Sequence, residues 1–463
     1  MTGNIIETMN VVIFGAGRRG LRLARHLIEE EKSVTFLDNS PARCALAQSK
    51  LDCMAVTGSA TDIEKLDECG CENADIAVAV TDSDEVNLVS CGIVTSRYPK
   101  VKTIATIRSL TYLSDSTGKP FSLLGIDHIV NPEQEAASRI QDIIVSGLFS
   151  DISYFPGAHY IVFTTSVNKG GMFAGKNLIE IKKELPGRYL IAGVSHKGKT
   201  FTPSGTTVLY EGDEIAVICD DDEREDVYSH FGIANTTFSL KRIILVGATR
   251  ICRYLLMKLP AKMHRHITLV EKDENICREF SDIFPDILIL NGAITDENFW
   301  DEESIGDSDL FVAMTENDEL NVIVSSYAKK QGTKRSICLI KTNNNYIALA
   351  RAMGIDAAVS TTESTVDAIM KILRGDNVRT LHSIFDGRIE IYEFVIKPGF
   401  LHLNKCLKDI NFKKAAVIAG VSRGDDNFIP DGNYTFREGD TVLVVSVHED
   451  YDYVQELFGQ GDV

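Results

Sequence analysis

The chain has 463 residues, 44% hydrophobic content and a formal net charge of −18. That is enough apolar material for about three or four domains. The acidic balance excludes a nucleic-acid binder, which needs a basic face toward phosphate, and no apolar run approaches the roughly 18 residues of a membrane span.

The first eight residues, before Met9, read as a leader or an alternative start. No signal peptide is visible, so a soluble protein is expected. From Asn10 the chain alternates: strand NVVIF, helix LRLARHLIEEE, strand SVTFLD, helix PARCALAQSK with Pro41 in its opening turn, strand CMAVTG, helix DIEKLDECG, strand DIAVAV, helix EVNLVSCGIVTSRY, strand KTIATIR ending at Arg108. Such alternation predicts a doubly wound parallel sheet, and short all-apolar strands fit a sheet covered on both faces. After about residue 150 the helices stop. YIVFTTSV, KNLIEIKKEL and YLIAGVSHKGKTF read as short strands with turns, and the charged, then polar stretch 220–239 reads as a linker between halves.

Everything then recurs. Asp38 at the end of VTFLD answers Glu271 at the end of ITLVE, 233 residues on; Gly58 answers Gly292 at 234; Thr81, Asp84, Glu85 and Asn87 answer Thr315, Asp318, Glu319 and Asn321 at 234. In the β-rich parts Pro203 answers Pro430, and Gly212-Asp213 answers Gly439-Asp440, both at 227. Repetition this regular means two copies of one unit. The expected fold is therefore α/β: two Rossmann-like doubly wound parallel-sheet domains, each followed by a small, β-rich α+β domain. The expected domains are 9–148, 150–232, 240–375 and 376–460.

Gly15-Ala16-Gly17-Arg18-Arg19-Gly20 fits G-x-G-x-x-G between a strand and a helix. The first glycine makes the tight turn, the second lets a diphosphate approach the backbone, and the third lets helix meet strand. The diphosphate then rests on the free N–H groups of the helix start. Asp38 follows at a strand tip, where a carboxylate accepts from ribose hydroxyls. It disfavours a 2′-phosphate, and neighbouring Asn39 offers no arginine in relief. NAD or NADH is the expected ligand, with ATP or ADP also admitted because ribose and diphosphate are all this region reads. Arg18 and Arg19 are placed for phosphate contacts. Thr81-Asp82 lies at the carboxyl end of a strand, where ligands of such sheets sit, either bonding the ligand or capping the next helix, and Arg108 ends the neighbouring strand. In the second copy, Gly247-Ala-Thr249-Arg-Ile-Cys252 keeps one glycine, while Glu271 retains the carboxylate. Cys69-Gly-Cys71 and His264-Arg-His266 each stand alone, short of the four clustered ligands of structural zinc, so no metal is expected and the ten cysteines read as reduced thiols.

GAGRRG, the Asp38 tip, GSATD, AVTDSDEVN and the strand ending in Arg108 resemble the regulator of potassium conductance (KTN) domain. The P-x(8)-GD units resemble its C-terminal companion. Their tandem order resembles the TrkA family of Trk-system potassium uptake regulators over essentially the whole chain, and the segment from Val359 to Phe394 resembles the family's join between its last two domains. The resemblance implies a non-enzymatic, nucleotide-sensing subunit that binds NAD(H) and ATP or ADP. It would self-associate as a dimer or higher assembly on the cytoplasmic face of the membrane, beneath a TrkH- or TrkG-like potassium channel subunit. The binding residues carried over are Gly15 to Arg19, Asp38, Thr81 and Asp82. The family pattern A-R-[IV]-R is here Ala105-Thr106-Ile107-Arg108, one arginine fewer, and Lys341 stands at the second copy's strand end. An NAD-dependent oxidoreductase is the rival reading. It needs a catalytic acid or base facing the nicotinamide, and the scattered histidines (His159, His196 and His402 among them) show no such arrangement.

Overall fold

In the computed structural model, the described residues are 9–109, 124–146, 152–155, 157–168, 171–231, 240–373, 378–385, 388–410, 412, 416–424, 426–447 and 451–458. The expected leader lies outside them. The first large module runs β1 Asn10–Phe14, α1 Arg18–Glu29, β2 Ser33–Asp38, α2 Pro41–Lys50, β3 Met54–Thr57, α3 Ile63–Glu68, β4 Ile76–Ala79, α4 Asp84–Arg97, β5 Lys102–Thr106, β6 His128–Val130 and α5 Pro132–Ser146. Its strands form a parallel sheet in the order β3-β2-β1-β4-β5-β6. Val11 to Phe14 and Ile76 to Ala79 are buried on both faces, which is why neither strand alternates with polar residues. The order reverses between β1 and β4, so the loops leaving their carboxyl ends, at Gly15 and Thr81, flank the crevice where such sheets take ligands.

The first small module holds β7 Ile152–Phe155, β8 Tyr160–Ser166, α6 Leu178–Glu184, β9 Tyr189–His196, β10 Lys199–Phe201, β11 Glu214–Asp220 and α7 Arg224–His230. Two expectations fail here. KNLIEIKKEL is a helix, not a strand: Asn177 and Glu180 form a reciprocal capping box, and Leu178, Ile181 and Leu185, at helical spacing, pack on the core. Residues 221–231 are not a linker either. They form a short 3-10 turn and α7, which packs Val227, Tyr228 and Phe231 into the same core; residues 232–239 lie outside the described residues.

The second large module repeats the first: β12 Ile243–Val246, α8 Arg250–Lys258, α9 Ala261–His264, β13 Ile267–Glu271, α10 Glu274–Ile283, β14 Leu288–Asn291, α11 Glu297–Glu302, β15 Leu310–Ala313, α12 Asp318–Gln331, β16 Arg335–Ile340, α13 Asn345–Ala352, β17 Ala357–Ser360 and α14 Thr361–Leu373, with sheet order β14-β13-β12-β15-β16-β17. The second small module has β18 Val378–Ile384, β19 Ile389–Val395, β20 Ala416–Arg423, β21 Asp426–Phe428, β22 Thr441–Val447 and α15 Tyr451–Phe458. The small sheets are antiparallel and correspond strand for strand, β10-β9-β11-β8-β7 against β21-β20-β22-β19-β18.

The modules group like with like. Residues 1–141 and 240–372 form one compact unit, and residues 142–239 and 373–463 another. In the second unit a single core cluster joins the two small sheets, with Tyr160, Ala192 and Ile218 from one and Ile389, Ala419 and Leu443 from the other. Glycines 227 residues apart make the approach possible. A Cβ on Gly193 would sit 2.7 Å from Ile389 Cδ1, and one on Gly420 would sit 2.8 Å from the Tyr160 ring. Among the described residues no helix is long and apolar enough to cross a membrane.

Candidate functional site

Each glycine of the first loop has a separate structural reason. Gly15 adopts φ +107, and a Cβ there would lie 3.2 Å from the Thr81 backbone, so the turn out of β1 requires glycine. A Cβ on Gly20 would lie 2.0 Å from the Gly15 carbonyl oxygen and 3.3 Å from the Phe36 ring; that glycine lets α1 close onto its own loop and onto β2. Gly17 is the helix N-cap, extended at φ −79 and ψ −168, with no side-chain cap bond. A Cβ on it would meet nothing within 4 Å among the described residues. The start of α1, the positive end of its dipole, is thus left uncapped and open.

It opens into a cavity of about 990 Å³ lined by Gly15 to Arg19, Asp38, Thr81, Asp82 and Arg108. Asp38 is buried, and its carboxylate holds the loop in place: Oδ2 accepts from Ala16 N (2.7 Å) and Oδ1 from Ser40 N (2.8 Å). The Arg43 guanidinium lies 3.8 Å from Oδ2 and supplies the nearby positive charge that the sequence reading did not find at Asn39. Thr81 is not the cap of α4. Ser83 is, accepting from Val86 N. The Thr81 hydroxyl donates instead to Asn87 Oδ1 (2.6 Å), which also accepts from Thr81 N (3.0 Å).

Arg108, two residues beyond β5, donates to the Asp82 carbonyl and pairs with Asp84, whose Oδ2 also accepts from Arg108 N and Ser109 N. Where the family pattern has an arginine, Thr106 is buried and donates to Ala79 O (3.0 Å), accepting from Asn87 Nδ2 (3.1 Å). Burial, then the neighbouring Arg108 charge, push the Arg19 guanidinium below its ordinary pKa, and its Nε is buried with no hydrogen-bond partner among the described residues. A guanidinium with a buried, unpartnered Nε, beside a second arginine that is itself paired with Asp84, suits an anion.

The second large module closes the cavity's other side with Arg250, Glu316, Lys341, Thr342, Thr361 and Thr362. Arg250 Nη2 pairs with Glu133 Oε1 at 2.9 Å. Burial raises the Glu133 carboxyl above the usual range, with Arg250 and Lys341 pulling it back. Buried Asn131 donates to the Tyr254 hydroxyl (2.9 Å) across the same junction. Sequence reading missed Glu133, Arg250 and the site role of Lys341. Two of them were within reach, because Arg250 is the repeat counterpart of Arg18 and Lys341 that of Arg108.

Glu271 is not brought to this cavity. Its oxygens accept from Ala248 N, Lys272 N and Asp273 N within its own module. There Gly247 keeps the positive-φ turn against Thr315, but Thr249 caps α8 by accepting from Cys252 N (3.3 Å), and buried Ile251 replaces Arg19. Cys252, fully buried, fills the place of Gly20, its thiol pushed up by burial.

With this geometry in hand, comparison with known proteins is direct. The TrkA-N domain model matches residues 11–132 and 243–361, and the TrkA-C domain model matches 163–232 and 391–459. Trk system potassium uptake protein TrkA homolog 1 of Methanosarcina mazei is 30% identical over 460 residues, covering 97% of this chain and 100% of the relative. The chain belongs to the TrkA family. Another TrkA homolog, from Archaeoglobus fulgidus, is 30% identical over 450 residues, covering 97% of this chain and 100% of its own. Haemophilus influenzae TrkA is 27% identical over 457 residues, with 97% and 98% covered. Among solved structures, the GsuK RCK domain superposes with a TM-score of 0.56 at 16% identity, covering 100% of this chain and 97% of that one. The GsuK channel bound to NAD gives 0.55 at 17% identity, with 100% and 80% covered. At such identities the structural likeness shows the TrkA-family chain's fold: two parallel-sheet Rossmann-like domains, each followed in sequence by a small antiparallel one.

Proposed function

We propose that this chain is the nucleotide-sensing regulatory subunit of a Trk-type potassium uptake system, working on the cytoplasmic face of the membrane against a membrane-embedded potassium channel subunit of the TrkH or TrkG kind. The observation that carries the reading is the uncapped start of α1, open at Gly17 toward a cavity that also receives Arg18, Arg19 and Arg108. NAD(H), or ATP or ADP, would lay its diphosphate on that helix start and its adenosine toward Asp38 and α2. The 990 Å³ of space is ample for a dinucleotide, since ligand pockets run to about 300–1,000 Å³. The NAD-bound structure of the fold neighbour GsuK supports the choice of ligand class.

The second module would serve as a wall of this site. Thr249 occupies the helix start that a phosphate would need, and Ile251 supplies no charge. Sensing follows from that construction. A ligand touching residues of both large modules binds differently when their junction, held by Arg250–Glu133 and Asn131–Tyr254, is open or closed. Only such a difference in affinity moves a conformational equilibrium. In this reading the chain is not an enzyme; sustained hydride transfer from bound NADH to any substrate would overturn that.

The test is potassium uptake in cells whose own uptake is disabled, supplied with a Trk-type channel subunit and either this chain or its Gly17→Ala variant. Uptake that requires the chain and changes with the variant is expected. Nucleotide binding with identical uptake from both would refute the regulatory role.

A further inference from the structure

The adenosine end of the cavity contains more than the ribose-reading carboxylate. Both Asp38 oxygens are engaged by the chain's own amides, from Ala16 and Ser40, so the carboxylate is partly spoken for before any ribose arrives. Beside it stands Arg43 on the first turn of α2, half exposed, with its guanidinium 3.8 Å from Asp38 Oδ2. Asn39, Ser40, Arg43 and Ser59 line the cavity together. The Ser40 Oγ caps α2 by accepting from Arg43 N (3.4 Å), which leaves its proton to donate outward.

In Rossmann-type sites an acidic residue at this strand tip reads the ribose 2′-hydroxyl, and a nearby arginine accommodates a 2′-phosphate. Here both are present, and the acid already accepts from two backbone amides with a guanidinium 3.8 Å away. We propose that the first large module admits adenosine dinucleotides with a phosphorylated ribose 2′-hydroxyl, NADP(H), about as well as NAD(H), and that Arg43 is the residue that decides it. The inference rests on the nucleotide-binding reading above and specifies the ligand class of that same site. It reverses the expectation, drawn from Asp38 and Asn39 alone, that a 2′-phosphate is disfavoured.

The second module shows what the alternative looks like. The counterpart of Arg43 is Ile276, and that of Ser40 is Asp273, which caps α10 with its carboxylate. A phosphate there would meet a second negative charge, and the cation among these counterparts is Lys272, at the place of Asn39, with none on the first turn of α10 where Arg43 stands in α2. The subsite therefore belongs to the first module, and it depends on charge. Its contribution should weaken with salt, because Arg43 is half exposed.

The test is a titration of the full chain with two ligand pairs differing only in the 2′-phosphate, NADPH against NADH and 2′,5′-ADP against 5′-AMP, on wild type, Arg43→Ala and Arg43→Lys. Wild type should bind the phosphorylated member of each pair within about tenfold of its partner, roughly 1.4 kcal/mol. In Arg43→Ala the phosphorylated member should weaken at least ten times more than the other, and Arg43→Lys should restore part of that ratio. Tight NADH binding with a hundredfold rejection of NADPH would overturn this inference alone, as would equal weakening of both members by Arg43→Ala. Failure of every nucleotide to bind wild type would overturn the proposed function, and this inference with it.

Discussion

Replacing Gly17 by alanine adds one methyl group at the mouth of the cavity and nothing elsewhere. The backbone there, φ −79 and ψ −168, suits any L-residue, and the new Cβ would have no described neighbour within 4 Å. The only folding cost is alanine's poorer N-capping, at most about 1 kcal/mol. A diphosphate on the first-turn N–H groups needs donor–acceptor distances near ~2.9 Å, and the methyl stands in that approach. Losing two charge-assisted bonds at about 1.5–3 kcal/mol each lowers affinity at least roughly a hundredfold. The companion change, Gly20→Ala, behaves in the opposite way. Its Cβ would lie 2.0 Å from the Gly15 carbonyl oxygen, so it should unfold or distort the first module before any ligand is considered. Calorimetric titration with NADH and differential scanning calorimetry on both variants separate the two effects. A Gly17→Ala protein that melts like wild type and binds within threefold of it would refute the phosphate placement.

Asn87→Ala removes a buried side chain that accepts from Thr81 N and Oγ1 and donates to Thr106 O and Oγ1; the stranded groups should cost about 3 kcal/mol in urea unfolding. Its twin Asn321→Ala, which breaks the matching bonds to Thr315 and Leu339, should cost a similar amount and leave NADH affinity nearer wild type. In the small modules, burial would raise the Asp440 carboxyl, but bonds from Arg423 and Tyr434 more than offset this and hold it below the ordinary aspartate value. Its stabilisation is complete above about pH 4 and lost as pH falls through the depressed native value. Asp440→Asn should therefore be less stable than wild type by about 2 kcal/mol at pH 7, with the gap closing in acid melts; a gap that widens on acidification would refute the pairing. Gly420→Ala puts a Cβ 2.8 Å from the Tyr160 ring and should destabilise the paired small sheets by about 1–3 kcal/mol, read as a lowered melting temperature.

The glycine loop, the Asp38 tip and the strand–helix alternation were legible in the sequence because each is a local pattern with one physical meaning. Gly15 and Gly20 serve the turn and the close packing that their spacing implied. What Asp38 bonds was not legible. Its two oxygens are engaged by Ala16 N and Ser40 N, and only the folded loop shows that those donors arrive first. Helix α6 was not legible in KNLIEIKKEL, although Asn177 and Glu180 stand at capping-box spacing. Glu133 follows no motif; it is brought to the cavity by the packing of one large module on the other. Arg250 and Lys341 are different, since the repeat names them as counterparts of Arg18 and Arg108. Their place at the cavity depends on the two large modules lining it together, which neither copy shows alone. The pairing of the small modules turns on Gly193 and Gly420, whose importance depends on a neighbour more than 190 residues away.

The most direct test of the central claim is the number of nucleotides bound per chain, measured by calorimetric titration of wild type and Gly17→Ala with NADH and with ATP. One nucleotide per wild-type chain, with none on the variant at the same concentrations, is the expected result. Two per chain, with Gly17→Ala losing only one, would contradict the assignment of the second large module as a wall. Undiminished binding by the variant would contradict the site itself.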